Sequence, residues 1–432
     1  MSPSPVGAAA EQLVLHLLLQ LIAILIATRL VAAAARRVGQ TDVSGEILAG
    51  LLLGPSLLGA LAPQALEWLF PPLTAPVFTG LSQLGLVLLM FQIGLEFEFG
   101  EVLRTQRERV VGISVIGIAV PFALGYFSAD FFYDRLPEPT QPDEFGFRLF
   151  FAVAMSITAI PILGRIFMEL GLSHTRLAAL TISAAAVDDV CGWLLLGVIS
   201  LLVMGELDAG WIAIRLLALA AYLAAVFLAL RPLLKRYLAQ SLTKHGTLGA
   251  NAITVVLVAL FVSASITSTL HVFAIIGGFT VGVALHDDRR FVAEWKRRMS
   301  PLVNTLLLPM FFTYTGLRTN VGSLDDLNEW LLCAGVIAIA FLGKLGGVFA
   351  GARAMGISAR DSLAIATCMN TRALMELVAL NIGLDLGVLP PSMFTKLVLM
   401  AIVSTFIATP LIRRLTRGQA RPLSLHGESA AA

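Results

Sequence analysis

The chain has 432 residues, 57% of them hydrophobic and only 13% charged, with a mean hydropathy of +0.86. A soluble domain averages about 25% charged residues, so the polar cover of a water-facing surface is missing and the composition points to a chain immersed in lipid. The formal net charge of +2 is too small to recruit nucleic acid, and Cys191, Cys333 and Cys368 lie in apolar runs without metal-ligand spacing, as packing thiols do.

A helix needs about twenty mainly apolar residues to cross the hydrocarbon. Such runs lie at about 11–35, 43–61, 76–97, 109–133, 147–170, 175–204, 210–232, 248–269, 271–286, 301–317, 328–354, 359–382 and 390–412. The first is long enough to span and has no basic segment before it, so it reads as a span and not as a cleaved leader. Continuous runs, rather than segments of about ten alternating residues, exclude a β-barrel. The expectation is an all-α integral membrane protein of about thirteen transmembrane helices.

The connecting segments set the orientation. With the N-terminus outside and the C-terminus cytoplasmic, 23 of the 30 Lys and Arg fall in inner segments, among them Arg36, Arg37, Arg107, Arg109, Lys235, Arg289, Arg297 and Arg413. The outer segments hold only Arg135, Arg148, Arg318 and Lys396, and are acidic around Asp130 to Glu144. This bias is the positive-inside rule, and one helix more or fewer would invert every later loop.

Short apolar segments offer a candidate internal repeat, with chance similarity as the alternative. Ile47 to Gly54 in the second run resembles Ile275 to Gly282 in the ninth, and Leu89 to Leu95 in the third echoes Pro309–Phe311 and Gly316–Leu317 in the tenth. An offset of seven helices reverses the direction of crossing. Two six-helix units would then be inverted about the membrane plane and joined by the seventh helix, an organisation typical of secondary transporters.

Three ionisable residues lie half way along apolar runs: Asp188 and Asp189 in the sixth, and Lys344 in the eleventh. Each costs about 2.5–3.5 kcal/mol at the bilayer centre, whereas an apolar residue returns about 0.3–0.6. Such charges persist only beside water, a partner or an ion. A structural Asp–Lys pair accounts for one carboxylate and not for two. Adjacent helical residues diverge by about 100°, so one Asp can meet Lys344 while the other faces a cavity. A desolvated carboxylate favours its protonated form and a bare cation beside it favours the ionised form, so proton and cation compete for one oxygen site.

Two runs carry candidate breaks, the first of which reads alternatively as a proline kink in an intact helix. In the fifth, Thr158-Ala159-Ile160-Pro161 places a proline that lacks a helical donor after a hydroxyl able to serve the freed backbone. In the twelfth, Met369-Asn370-Thr371-Arg372 is a polar cluster within an apolar run, and an unwound helix offers carbonyls to a cation. Arg372 either offsets helix ends, pairs with Glu376 one turn on, or lies near the inner mouth. His16, His271 and His286 are lone and read as packing or interfacial residues, and His174 is a candidate pH sensor.

These residues have a family likeness. Gly45 to Ser56 resembles the signature of Kef-type and NapA-type antiporters, and Thr158 to Pro161 followed by Ala186 to Val190 is similar to their ion-binding core. Met369 to Arg372, with Met375-Glu376-Leu377 and Asn381-Ile382-Gly383, is closest to the plant and fungal cation/proton exchangers of the same superfamily of monovalent cation/proton antiporters. The resemblance implies a NhaA/NapA-like fold with two inverted repeats and two discontinuous crossing helices. It implies a core at about 109–204 and 328–415, a scaffold and dimerisation domain at about 11–97 and 248–317, a linker helix at about 210–232, and a homodimer. It makes Asp189 the carrier of ion and proton, Asp188 its neighbour, Lys344 the charge partner of Asp188, and Thr158, Pro161, Asn370, Thr371 and Arg372 the crossing breakpoints, with Glu376 secondary.

The expected function is alternating-access exchange of Na⁺ or K⁺ for H⁺, by a transporter and not an enzyme, in the inner membrane of a prokaryote with lipid as its surroundings. Asp-Asp with a lysine leans to Na⁺, and the Asn-Thr-Arg segment leans to K⁺. No cofactor is expected and no transition metal, only a monovalent cation at Asp189. The short segment 416–432 leaves no room for the nucleotide-binding domain of Kef systems. A cation channel or a sodium-coupled symporter of the same fold is the alternative. An intramembrane aspartyl protease needs carboxylates from two helices.

Overall fold

The computed structural model describes residues 5–95, 106–136, 142–158, 163, 166–167, 170, 172, 175–204, 209–270, 273–372 and 374–416. Pro161, His174 and His271 lie outside the described residues. Every regular element among the described residues is a helix.

The first half comprises α1 (Pro5–Arg37), α2 (Asp42–Leu53), α3 (Pro63–Leu69), α4 (Ala75–Leu95), α5 (Arg107–Tyr133), α6 (Glu144–Ser156) and α7 (Arg176–Met204). Helix α8 (Ala209–Ala225) runs through a π turn at Val226–Leu230 into α9 (Arg231–His245). The second half comprises α10 (Ala250–Thr269), α11 (Ala274–Leu285), α12 (Arg289–Arg298), α13 (Leu308–Leu317), α14 (Leu327–Phe341), α15 (Gly347–Ala354), α16 (Ala359–Met369), α17 (Leu374–Asp385) and α18 (Pro391–Leu415). Local chemistry sets several starts. Asp143, Asp288, Asp326 and Ser358 each accept a backbone N–H of the first turn that follows, an N–H the helix itself cannot satisfy.

Eight helices among the described residues are long and apolar enough to cross a membrane. They coincide with the first, third, fourth, sixth, seventh, eighth, eleventh and thirteenth apolar runs of the sequence. The other five runs fall on short or interrupted helices. The second stops at Leu53, because Gly54 is extended and Pro55 follows. The fifth stops at Ser156, and the twelfth divides at Asn370–Arg372. Two segments read as connections in the sequence are helical: α9 carries the basic stretch after the seventh run, and α12 lays Phe291 and Trp295 inward with its charges outward. Trp295 packs edge-on against Phe91 of α4 at 4.7 Å between ring centroids.

Two backbone-close crossings organise one side of the bundle. Helix α2 lies on α13, where a Cβ added to Gly50 or Gly54 would collide with the carbonyls of Phe312 and Gly316. Helix α4 lies on α11, where a Cβ at Gly278 or Gly282 would collide with the carbonyls of Val87 and Phe91. Between lipid-immersed helices, such small-residue approach supplies the dispersion contact that burial supplies in water.

Candidate functional site: a buried charge centre between broken helices

Helix α7 carries Asp188 and Asp189 at its middle, both 2% exposed. They face different neighbours. Asp188 Oδ2 lies 3.0 Å from Lys344 Nζ and 3.0 Å from the Thr158 hydroxyl. Asp189 lines a cavity of about 10 Å³ with Ile157, Gly192, Trp193, Leu196 and Met375. That space is at the lower limit for one water.

Lys344 sits in a π turn, Leu342–Gly346, inserted between α14 and α15. Such turns expose groups that a regular helix would not. Its ammonium has three protons to donate, and each finds an acceptor: Asp188 at 3.0 Å, the Ser156 carbonyl at 2.6 Å and the Gly117 carbonyl at 2.7 Å. The two carbonyls are available for identifiable reasons. Pro121, four residues after Gly117 within α5, has no N–H to bond it. Ser156 is the last residue of α6, and Ile157 has left helical geometry with φ −69° and ψ 143°.

The end of α6 is held by a second buried cation. Arg372 Nη1 donates to the Ala154 carbonyl at 2.5 Å and Nη2 to the Met155 carbonyl at 2.6 Å. Arg372 and Lys344 thus take three successive carbonyls at the negative end of one helix dipole. Arg372 also lies 3.3 Å from both carboxylate oxygens of Glu376, with both side chains wholly buried. Of the roles open to Arg372 in the sequence, the structure shows two together, the helix-end contact and the Glu376 pair, and not the inner mouth.

The two breaks touch. The Thr158 hydroxyl, 3.0 Å from Asp188, is also 3.2 Å from the Met369 carbonyl at the end of α16. With one proton to give, it serves one of them at a time. Thr371 Oγ1 donates to the Cys368 carbonyl at 2.7 Å. Asn370 is buried, and its side-chain oxygen has no hydrogen-bond partner among the described residues. Thr405 of α18 was not singled out by the sequence. Its hydroxyl donates to the Arg372 carbonyl and accepts from the Arg372 N–H at 3.3 Å, holding the break between α16 and α17 in place. A lone threonine in an apolar run carries no such signal.

Two interrupted helices, two buried acid–base pairs and a carboxylate beside a small cavity form a polar centre inside an apolar bundle. The MjNhaP1 sodium proton antiporter from Methanocaldococcus jannaschii at pH 8 superposes with a TM-score of 0.64 at 17% identity, covering 94% of this chain and 98% of that one. At that identity the likeness shows the fold. The Na(+)/H(+) antiporter NhaS4 of Synechocystis sp. is 36% identical over 401 residues, 93% of this chain and 97% of that protein. Cation/H(+) antiporter 18 of Arabidopsis thaliana is 33% identical over 397 residues, 91% of this chain and 48% of that protein, so this chain spans about half of its plant relative. The family described as sodium/hydrogen exchanger, transmembrane, matches residues 22–418. The family match and the near full-length relative define an integral membrane transporter of the monovalent cation/proton antiporter class. The chain belongs to the sodium/hydrogen exchanger family.

Proposed function

We propose that the chain exchanges a monovalent cation, Na⁺ in preference to K⁺, for protons by alternating access, with both competing for Asp189. The observation that carries this reading is the unlike setting of two adjacent buried carboxylates. Asp188 is tied to Lys344 and Thr158, and Asp189 faces a different neighbourhood and borders a small cavity. A cation beside a carboxylate favours its ionised form, and a proton on it removes the charge that holds the cation. Loading one therefore expels the other. The Na⁺ preference draws support from the paired aspartates with their lysine and from the Na(+)/H(+) relative that shares nearly the whole length.

The same reading takes thirteen crossings in two inverted six-helix repeats, with α8 as the linker. Support comes from the glycine crossings. Exchanging the second run with the ninth and the third with the tenth turns the α2–α13 contact into the α11–α4 contact, and both are backbone-close. Helices α5 to α7 and α14 to α18 form the moving core, and α1 to α4 and α10 to α13 form the scaffold, through which two copies associate. The N-terminus is outside, and the basic ends face the cytoplasm of a prokaryotic cell.

The test is cation-dependent proton flux in proteoliposomes. Asp189→Asn is expected to abolish it with Li⁺, Na⁺ and K⁺ alike, and substantial activity in that variant would remove Asp189 from the cycle. Flux that persists without any coupling to a pH gradient would favour a channel.

A further inference from the structure

A second cavity lies on the membrane-facing side of α7, outside the charge centre. It measures about 160 Å³ and is walled by Trp193 of α7, Leu223 of α8, Phe227 in the π turn, and Ile276, Phe279 and Val283 of α11. Trp193 and Phe279 meet across it at 6.3 Å between ring centroids. The Thr280 hydroxyl on its wall already donates to the Ile276 carbonyl at 2.7 Å, so the lining is in effect hydrocarbon. Leu194 of its lining is 44% exposed. In a spanning segment, that exposure is to acyl chains and not to water.

Both walls lead to charge at the basic end of the bundle. On α11 the lining positions Ile276, Phe279 and Val283 recur at helical spacing, and Asp287 follows one turn later. On the other wall, Leu223 and Phe227 are followed by Arg231 and then Lys235. The walls close on a triad: Arg231 Nη2 lies 2.7 Å and Lys235 Nζ 2.6 Å from the same oxygen, Asp287 Oδ2. Two cations on one carboxylate leave a net charge of +1, and each side chain keeps about a third of its surface open.

We infer that this crevice is a binding site for an anionic phospholipid, with one acyl chain between Trp193, Leu223 and Phe279 and the phosphate on Arg231 and Lys235. A hydrocarbon slot ending in uncompensated positive charge matches a molecule whose apolar chain ends in net negative charge. A zwitterionic lipid satisfies the slot and leaves the charge unanswered. Trp193 also walls the cavity of Asp189, so the occupant's chain lies against the far side of the ion site's own wall.

The full chain in phosphatidylcholine vesicles tests this, using phosphatidylglycerol or phosphatidylcholine brominated on the acyl chains as quenchers. The Trp193 fluorescence is the wild-type signal minus that of Trp193→Phe. At equal low mole fraction, brominated phosphatidylglycerol should be about fivefold more effective, the factor one surface cation confers on an anionic lipid. The double variant Arg231→Gln with Lys235→Gln should erase that preference. Asp287→Asn, which raises the triad to +2, should increase it, a direction that loss of structure would not produce. Equal quenching by the two lipids, a preference that survives the double variant, or no quenching at all would overturn the assignment.

Discussion

Arg318 and Asp385 form an ion pair between the end of α13 and the end of α17. The same guanidinium donates to Asn381 Oδ1 at 3.1 Å and to the Tyr314 hydroxyl at 2.8 Å, and Asn381 donates to Thr315 Oγ1 at 2.9 Å. One helix belongs to the proposed scaffold and the other to the proposed core, so sliding of the core must stretch this contact. The pair is partly exposed, which limits its worth to about 1 kcal/mol. Asp385→Asn is expected to leave the fold intact and to change the apparent cation affinity from the acidic face by up to about fivefold, measured as sided half-saturation in proteoliposomes. No change from either side would show that the contact is not stretched in the cycle.

Lys344 differs in kind, because it is wholly buried and serves three acceptors. Lys344→Gln leaves a buried carboxylate without its cation, and losing one partner of such a pair costs about 3–5 kcal/mol. A marked fall in the thermal midpoint in detergent is expected, with part recovered by adding Asp188→Asn. If Lys344 carries charge through the cycle, the variant still exchanges cation for proton but with altered voltage dependence, read in vesicles clamped by a potassium diffusion potential. An unchanged voltage response would remove the lysine from the charge movement.

Arg372→Ala takes donors from the Ala154 and Met155 carbonyls and strands Glu376 in the same stroke. The expected loss is again about 3–5 kcal/mol. Adding Glu376→Gln should restore the share due to the stranded carboxylate and not the share due to the helix end. Complete rescue would mean that the carbonyl contacts contribute little.

At the basic end, Asp287 gives a pH dependence of known sign. Burial alone would push its carboxyl up, but hydrogen bonds from Lys235 and Arg231, and then their charges, hold it below its ordinary value. A carboxyl depressed in the folded state contributes stability that is fully present above its unfolded value of about 3.9 and is lost as pH falls through the lower folded value. Asp287→Asn should therefore lower the midpoint at neutral pH and flatten its decline below about pH 4. Parallel acid limbs in the two proteins would contradict this.

Much of the architecture was legible because lipid makes charge expensive. Asp188, Asp189 and Lys344 stand out for that reason alone, and the 100° between neighbours already separates the two carboxylates. The sequence puts the break in the fifth run at Thr158 to Pro161, and α6 ends two residues before Thr158. Pro161 lies outside the described residues, and the sequence did not show that Arg372 and Lys344 arrive from distant helices to take the carbonyls at the end of α6. No local rule anticipates partners about two hundred residues away. Helix α12 was missed although Asp288, Phe291 and Trp295 form a cap and a one-sided apolar stripe. Its density of arginine and lysine made it read as a connection.

The glycine crossings fix where this molecule can yield. Side chains can rotate past an obstacle, but main chain against main chain has no rotamers to spend. In the proposed exchange, helices α2, α4, α11 and α13, seated with no room for a Cβ between Gly50, Gly54, Gly278 or Gly282 and the facing carbonyls, would behave as a stator. The compliant seam is the aromatic one, where Trp193 meets Phe279, and a rotor bearing Asp189 would turn along it.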